Sequence, residues 1–375
     1  MTASVNGQGR DSWGRPDASR QRPGTTEAVS EGLYAALDLG TNNCRLLVAK
    51  PSQDGFRVVD AFSRIVRLGE GLAASGRLSG PAMSRTLEAL KICAAKIRRR
   101  GVTRVRAVAT EACRRADNCE DFLERVRRET GIELEIISQN EEAALAICGC
   151  APLIDPDIPD ILLFDIGGGS TEICWLKAEP APGGPAEGAP LAAAELSLFA
   201  WASVPIGVIT LAERHGGGEI SPDTYQAMAT EMAAAVAVFD ARHKVTASVA
   251  GGKLQMLGTS GTVTTLAGVH KNLPRYDRSR VDGSYLDMPT VHDICARITA
   301  MTYDQRAAHP CIGPERADLV VAGCAILSAL CRLWPAERLR VADRGLREGM
   351  LYAMIHGISA PEGRWADLGA APGLD

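Results

Sequence analysis

Two stretches of the chain follow the same order of apolar and polar positions. AALDLGTNN and LLFDIGGGST each begin with an apolar run, continue with an aspartate, an apolar residue and glycine, and end in hydroxyl or amide residues. Their aspartates, Asp38 and Asp165, lie 127 residues apart. Short apolar runs that end in turn residues predict a strand, a tight turn and a returning strand. The repeat therefore predicts two related α/β units, each presenting a turn to a shared cleft.

Segments with helical periodicity surround these two units. In residues 81–100 the apolar side chains recur on one helical face while lysine and arginine occupy the other, which predicts an amphipathic helix. Asn140 directly precedes another helical run, where its side chain is suited to cap the helix N-terminus. Further helices are predicted over 120–130, 222–243, 317–332 and 345–356. Strands alternating with helices are typical of an α/β fold.

The chain divides into two predicted domains and two tails. The first 31 residues are rich in Arg, Gly, Pro and Ser without an apolar core segment, so they predict a disordered tail rather than a signal peptide or anchor. The predicted boundaries are a tail over 1–31, a first domain over 32–150 joined by the C-terminal helix 345–357, a second domain over 151–344 with a Pro/Gly-rich insertion at 178–190, and a tail over 358–375.

Composition argues against several classes of partner. The net charge of −4 and the pI of about 6.0 give the chain no general attraction for nucleic acid or anionic membranes. No apolar run has the length of a membrane span. Eleven cysteines occur without a CxxC pair, which is typical of reduced thiols in a cytoplasm. We therefore expect a cytoplasmic protein that binds any anionic ligand in a local basic pocket.

Three glycine-rich turns are candidate anion sites. They span Gly40–Asn43, Gly167–Thr171 and Gly258–Thr264, and the third opens a predicted helix. Successive backbone N–H groups of such turns can point into one concavity and hold phosphate. The sequence contains neither a Walker motif nor a dinucleotide G-x-G-x-x-G after the first strand. We therefore expect phosphates to bind between two hairpins.

Seven motifs together resemble the exopolyphosphatase/guanosine pentaphosphate phosphohydrolase family. They are DLGTNNCRLLV, VRLGEGL, ATEACRRADN, IISQNEEA, DIGGGSTEI, GTSGT and LREGML, and they span about residues 33–358 in the order of the family. That family belongs to the superfamily of acetate and sugar kinases, heat-shock protein and actin. The resemblance implies an α/β fold of two actin-like, ribonuclease H-like domains with an interdomain cleft.

The resemblance implies a catalytic pair. Glu142 matches the family's catalytic glutamate, and a carboxylate there can orient and deprotonate the water that attacks a phosphoanhydride. Arg114 matches an arginine that contacts phosphate, for which a planar donor fork is suited. The structural alternative is that Glu141 and Glu142 are both first-turn acids that interact with the helix dipole, and for Glu141 this is the expected role.

The remaining implied residues are a metal set and a phosphate set. Asp165 and Glu172, with Asp38 as their counterpart in the first domain, are expected to bind Mg²⁺ through carboxylate oxygens, although Asp38 can also be read as a turn acid. The predicted phosphate-binding residues are Gly40, Thr41, Asn42, Asn43, Arg67, Gly167, Gly168, Gly169, Ser170, Thr171, Ser260, Gly261 and Thr262.

The implied function is a Mg²⁺-dependent phosphohydrolase. Its expected ligands are inorganic polyphosphate and guanosine penta- or tetraphosphate, with neither nucleic acid nor membrane as a partner. Two alternatives share the glycine turns: a superfamily kinase or ATPase, and a non-catalytic sensor of alarmone or polyphosphate. The chain ends before the helical C-terminal domains of longer members, which puts processivity on long chains in doubt. A homodimer is an assembly that such a chain can form.

Overall fold

The computed structural model describes residues 32–53, 55–178, 196–250 and 254–357, which form two β-sheets packed with helices. The predicted mixed α/β architecture is thereby confirmed. The predicted tails 1–31 and 358–375 lie outside the described residues, and so does the 178–190 insertion except for its first residue.

The first sheet has five strands in the order β3-β2-β1-β4-β5. They are β1 (Tyr34–Leu39), β2 (Asn43–Ser52), β3 (Gly55–Ile65), β4 (Arg104–Ala109) and β5 (Glu135–Ile136). The helices of this half are α1 (Leu72–Ser75), α2 (Gly80–Arg100), α3 (Glu111–Arg115), α4 (Cys119–Thr130) and α5 (Gln139–Cys150).

The second sheet has six strands in the order β10-β11-β9-β6-β7-β8. They are β6 (Asp160–Ile166), β7 (Thr171–Ala178), β8 (Leu196–Val204), β9 (Leu254–Thr259), β10 (Tyr285–Asp287) and β11 (Arg338–Ala342). Its helices are α6 (Val208–His215), α7 (Pro222–His243), α8 (Val245–Val249), α9 (Gly261–His270), α10 (Arg278–Val281), α11 (Met288–Ala300), α12 (Tyr303–Ala308) and α13 (Val320–Leu333). The C-terminal helix α14 (Leu346–His356) follows β11 in the chain but packs on the first sheet.

The two sheets repeat one topology. In each, three consecutive strands form an antiparallel meander, and the next strand of the chain pairs in parallel with the first strand of that meander. The registers also match, because Asp38 lies opposite Arg45 in the first hairpin and Asp165 opposite Glu172 in the second. The repeat in the sequence thus corresponds to two strand–turn–strand units in equivalent positions.

Helices α5 and α14 lie between the two sheets. Side chains of α14 and Leu145 of α5 pack on one face of the first sheet, while Ala144 and Ile147 of α5 pack on the second sheet. The opposite face of the first sheet packs on α2 and α4, and that of the second packs on α7, α9, α11 and α13. The C-terminal helix therefore shares its core with the first sheet.

The start of α5 differs from the prediction in one detail. The helix is capped by Ser138, whose Oγ accepts a hydrogen bond from Glu141 N at 3.1 Å, and not by Asn140. Ser138 has the extended backbone of a cap residue, whereas Asn140 already lies within the first helical turn. With Ser138 as the cap, Glu141 and Glu142 still lie in the first turn, near the positive end of the helix dipole, as expected.

Candidate functional site

A cavity of about 130 Å³ lies where the turns of the two sheets meet. Fifteen of the eighteen predicted site residues line it, so the fold brings the three glycine turns, the proposed base and the three acids to one place. The predicted residues in its wall are Asp38, Gly40, Thr41, Asn42, Asn43, Glu142, Asp165, Gly167, Gly168, Gly169, Ser170, Glu172, Ser260, Gly261 and Thr262.

The two hairpin turns touch each other. A Cβ added to Gly168 would lie 3.1 Å from Asn42 Cβ and from Asn42 N, and one on Gly169 would lie 3.0 Å from Thr41 Oγ1. On the other side, a Cβ on Gly207 would lie 2.4 Å from the Gly168 carbonyl. A side chain at Gly168 or Gly169 would therefore displace its neighbours in the other turn, and at Gly207 the obstacle is backbone that cannot move aside.

Glu142 lies beside a partly buried arginine. Arg114 Nη1 is 2.8 Å from Glu142 Oε2, and Arg114 Nη2 is 3.1 Å from Glu111 Oε2. Arg114 also donates from Nη1 to the Ile137 carbonyl at 3.0 Å, and the buried Glu142 Oε2 makes no aligned hydrogen bond within the described part of the chain. Burial and the negative charge of Glu172 raise the pKa of Glu142 well above its usual range. Arg114 thus holds the Glu142 carboxylate through Oε2 from outside the cavity wall.

Three further carboxylates face the cavity under mutual repulsion. Burial and the charge of Glu172 raise the pKa of Asp165 to about 7. Burial raises the pKa of Asp38 and of Glu172 as well. Among the residues with described positions, Asp38 and Asp165 form no ion pair, while Glu172 Oε1 accepts hydrogen bonds from Ser170 and Ser203. Burial raises the free energy of the ionised carboxylates, and a bound cation would lower it.

Two arginines in the cavity wall were not predicted from the sequence. Arg45 and Arg316 line the cavity, and within the described ranges neither forms an ion pair with a carboxylate. Burial and the charge of Arg45 lower the pKa of Arg316. Arg316 Nη1 donates only a 3.3 Å hydrogen bond to Thr265 Oγ1. Two neighbouring guanidinium groups without a carboxylate partner are suited to bind an anion.

The other three predicted residues are placed outside the cavity wall. Arg114 lies behind Glu142, and Thr171 is fully buried and donates through Oγ1 to the Ile206 carbonyl at 2.7 Å. Arg67 forms a two-pronged ion pair with Asp318 at 2.7 and 2.8 Å and donates to the Glu315 carbonyl at 3.1 Å. In this structure Arg67 therefore links the two halves of the molecule beside the cavity.

The third turn has its own local constraint. Ser260 has φ 131°, a conformation that non-glycine residues rarely adopt. Its Oγ caps α9 by accepting from Thr262 N at 3.2 Å and from Val263 N at 3.5 Å. The strained backbone therefore places the serine side chain at the helix N-terminus, in the wall of the cavity.

Two absences apply to the described residues only. No group of three His, Cys, Asp or Glu side chains in them is arranged to hold a metal ion by itself. None of the helices seen in them combines the length and apolar character that crossing a membrane requires. A metal at this cavity would therefore also need oxygen ligands from phosphate or water, which is usual for Mg²⁺.

Comparisons with known proteins give one consistent result. The sequence profile of the Ppx/GppA phosphatase family matches residues 47–357. Exopolyphosphatase 2 of Mycobacterium tuberculosis is 30% identical over 337 residues, which cover 85% of this chain and 98% of that protein. The crystal structure of the Aquifex aeolicus member of the Ppx/GppA family has a TM-score of 0.66 at 27% identity, covering 87% of this chain and 98% of that one.

A second solved structure is closer in shape. The crystal structure of an exopolyphosphatase-like protein has a TM-score of 0.74 at 27% identity, covering 86% of this chain and 97% of that chain. The structural matches confirm the predicted actin-like fold, in which two α/β halves flank a cleft.

Proposed function

The chain belongs to the Ppx/GppA phosphatase family, and we propose that it hydrolyses the terminal phosphoanhydride bond of inorganic polyphosphate. One observation carries this proposal. The cavity wall contains a candidate base, Glu142, which is paired with Arg114. It also contains Arg45 and Arg316, which have no carboxylate partner among the described residues. Relatives named exopolyphosphatase support polyphosphate as the substrate. The 5′ γ-phosphate of guanosine pentaphosphate has the same chemical terminus and is the second substrate to test.

Glu142 would act on the attacking water. The Glu142 carboxylate, in the cavity wall, can accept a hydrogen bond from that water and then its proton as the new P–O bond forms, while the terminal phosphoanhydride bond breaks and the shortened chain leaves. Burial raises the pKa of Glu142, which makes its ionised carboxylate a stronger base than an exposed glutamate. Arg114, 2.8 Å away, fixes the carboxylate and would stabilise its charged form before the proton arrives.

The phosphates would be held by the rest of the wall. Arg45 and Arg316 would bind their oxygens, and the N–H groups of the glycine turns would bind the oxygens that face the other side. These donors are placed before substrate arrives, so they can stabilise the charge that develops in the transition state at little cost in reorganisation.

The donor set of the wall fits a divalent cation. Asp38, Asp165 and Glu172 are carboxylates with raised pKa values, and Asn42 Oδ1 is buried without a hydrogen-bond partner among the described residues. Carboxylate and amide oxygens are the ligands that hard cations prefer. When bound there, Mg²⁺ would neutralise charge on the phosphate oxygens, and Asp165, Glu172 and Asp38 are the residues that would hold it.

Phosphate release and binding separate this proposal from its competitors. Purified protein with Mg²⁺ would be given long polyphosphate, short polyphosphate, guanosine pentaphosphate or ATP, as wild type and as Glu142→Gln. We expect release from polyphosphate that Glu142→Gln abolishes while binding persists. Glu141→Gln is the matched control, because Glu141 pairs with Arg106 and does not line the cavity. Binding without release would favour a sensor, and transfer from ATP to an acceptor would favour a kinase.

A further inference from the structure

Glu172 is held by hydroxyl groups on two strands. Its Oε1 accepts from Ser170 Oγ at 2.6 Å and from Ser203 Oγ at 3.0 Å, and neither bond uses Oε2. Ser170 belongs to the glycine turn, but Ser203 lies on β8, opposite Glu172 in the strand register. A carboxylate with one oxygen occupied by two donors has its second oxygen directed away from them, available to a cation.

The direction of the Ser203 hydrogen bond is fixed by Gln139. The side-chain Nε2 of Gln139 lies 3.3 Å from Ser203 Oγ. An amide NH₂ group can only donate, so Ser203 Oγ accepts from it and its own hydrogen is free to point at Glu172. The opposite amide orientation would place two acceptors on a single hydroxyl hydrogen, leaving either Glu172 or Gln139 without it.

Gln139 is also in the helix that bears the proposed base. It is the first residue of α5, and Glu142 follows three positions later in the same turn. The chain of bonds from Gln139 through Ser203 to Glu172 therefore connects the base helix with the acid on the second sheet. We propose that Gln139 and Ser203 are positioning residues that orient Glu172 for cation binding and fix its position relative to Glu142. This inference rests on the proposed function insofar as Glu172 is taken as a cation ligand.

Cation binding tests the inference without turnover. Mn²⁺ would serve as the probe, with free Mn²⁺ followed by electron paramagnetic resonance during titration of the full chain. We expect Ser203→Ala to raise the Kd for Mn²⁺ roughly 10-fold, as loss of an outer-shell partner does at metal sites. Ser203→Thr keeps the hydroxyl and should restore most of the affinity. Ser284→Ala is the matched control, because it removes a hydroxyl that bonds only to the Val281 carbonyl, away from the cavity.

Two variants of Gln139 test the direction of its hydrogen bond with Ser203. Gln139→Leu removes a donor, whereas Gln139→Glu adds an acceptor that competes with Glu172 for the Ser203 hydrogen. We expect a weaker Kd for Mn²⁺ in both, with the larger loss in Gln139→Glu. In a Glu172→Gln background, Ser203→Ala should have no further effect, because the serine acts through that carboxylate.

The possible outcomes distinguish this inference from the proposed function. Mn²⁺ affinity that is unchanged in Ser203→Ala, or an equal loss in the Ser284→Ala control, would overturn the inference. Failure of the wild type to bind Mn²⁺ would overturn it as well. If the wild type releases no phosphate from any substrate yet Ser203→Ala and Gln139→Glu weaken Mn²⁺ binding as expected, the proposed function fails and the positioning role stands.

Discussion

Helices α5 and α14 cross so closely at Gly349 that we expect Gly349→Ala to reduce activity strongly. A Cβ at Gly349 would lie 1.9 Å from the Leu145 carbonyl oxygen and 2.7 Å from its carbon, and both are backbone atoms that no rotamer change can move. Ordinary contact begins at 3.4 Å, so the two helices must separate by about 1.5 Å. Leu145 lies three residues after Glu142, so this displacement reaches the proposed base.

The expected losses differ between stability and activity. Overpacking costs about 1–3 kcal/mol, and replacing glycine by alanine in a helix returns up to about 1 kcal/mol. The free energy of unfolding should therefore fall by at most about 3 kcal/mol, a change that leaves the protein folded. Displacing Glu142 by about 1 Å should cost on the order of 100-fold in kcat. The variant should thus stay folded while its kcat falls on the order of 100-fold.

Urea unfolding and polyphosphate hydrolysis, measured on the same preparations, provide the assay. Gly80→Ala is the control, since Gly80 lies in the first turn of α2 and an added Cβ there meets nothing within 4 Å. Gly80→Ala should keep both kcat and stability. The reasoning is refuted if Gly349→Ala keeps the kcat of the wild type, because the crossing would then accept a methyl group without moving the base.

Three further predictions concern an ion pair, an arginine and an aspartate near the cavity. A double-mutant cycle on Arg67→Ala and Asp318→Ala should give a coupling free energy of about 1 kcal/mol in urea unfolding at low salt, because the ion pair is two-pronged but partly exposed. High salt should reduce this coupling, and a coupling of zero would contradict the prediction. Arg316→Ala should raise KM for polyphosphate roughly 10-fold, since a bond to a charged group is lost, and Arg316→Lys should recover part of it; an unchanged KM would remove Arg316 from the site. The pKa of Asp165 is raised to about 7 in the folded protein, so Asp165 binds a proton there that the unfolded chain releases near its ordinary pKa. Protein kept metal-free with chelator should therefore lose stability as pH rises from 4 to 7, by up to about 1.4 kcal/mol per pH unit, and Asp165→Asn should flatten the slope measured by urea unfolding.

Local patterns in the sequence predicted the frame of the site. Each turn follows an apolar strand and contains glycine, so Asp38 and Asp165 could be placed at strand ends without knowledge of the fold. The close contact at Gly168 could not be predicted in the same way, because the atoms that Gly168 approaches belong to Asn42, more than a hundred residues earlier. Local spacing indicates a turn, whereas close packing between turns depends on tertiary structure.

The arginines illustrate the same limit. Arg67 lies in a motif of the resemblance and was predicted to bind phosphate, but its partner Asp318 is 251 residues away and no local pattern joins them. Arg45 had a usable signal that depends on the repeat. It follows Asp38 by seven positions, as Glu172 follows Asp165, and aligning the two hairpins would have placed it at the site.

The repeat also divides the chemistry between the two halves. Asp38 lies opposite Arg45, and the charges of Arg45 and Arg347 lower its pKa against the effect of burial. Asp165 lies opposite Glu172, whose charge raises its pKa further. The first hairpin therefore pairs an acid with a base across its strands, while the second pairs two carboxylates whose like charges a bound cation would offset. We therefore expect the binding of a divalent cation to depend mainly on Asp165 and Glu172, with a smaller contribution from Asp38, and we expect Arg45 to bind phosphate instead.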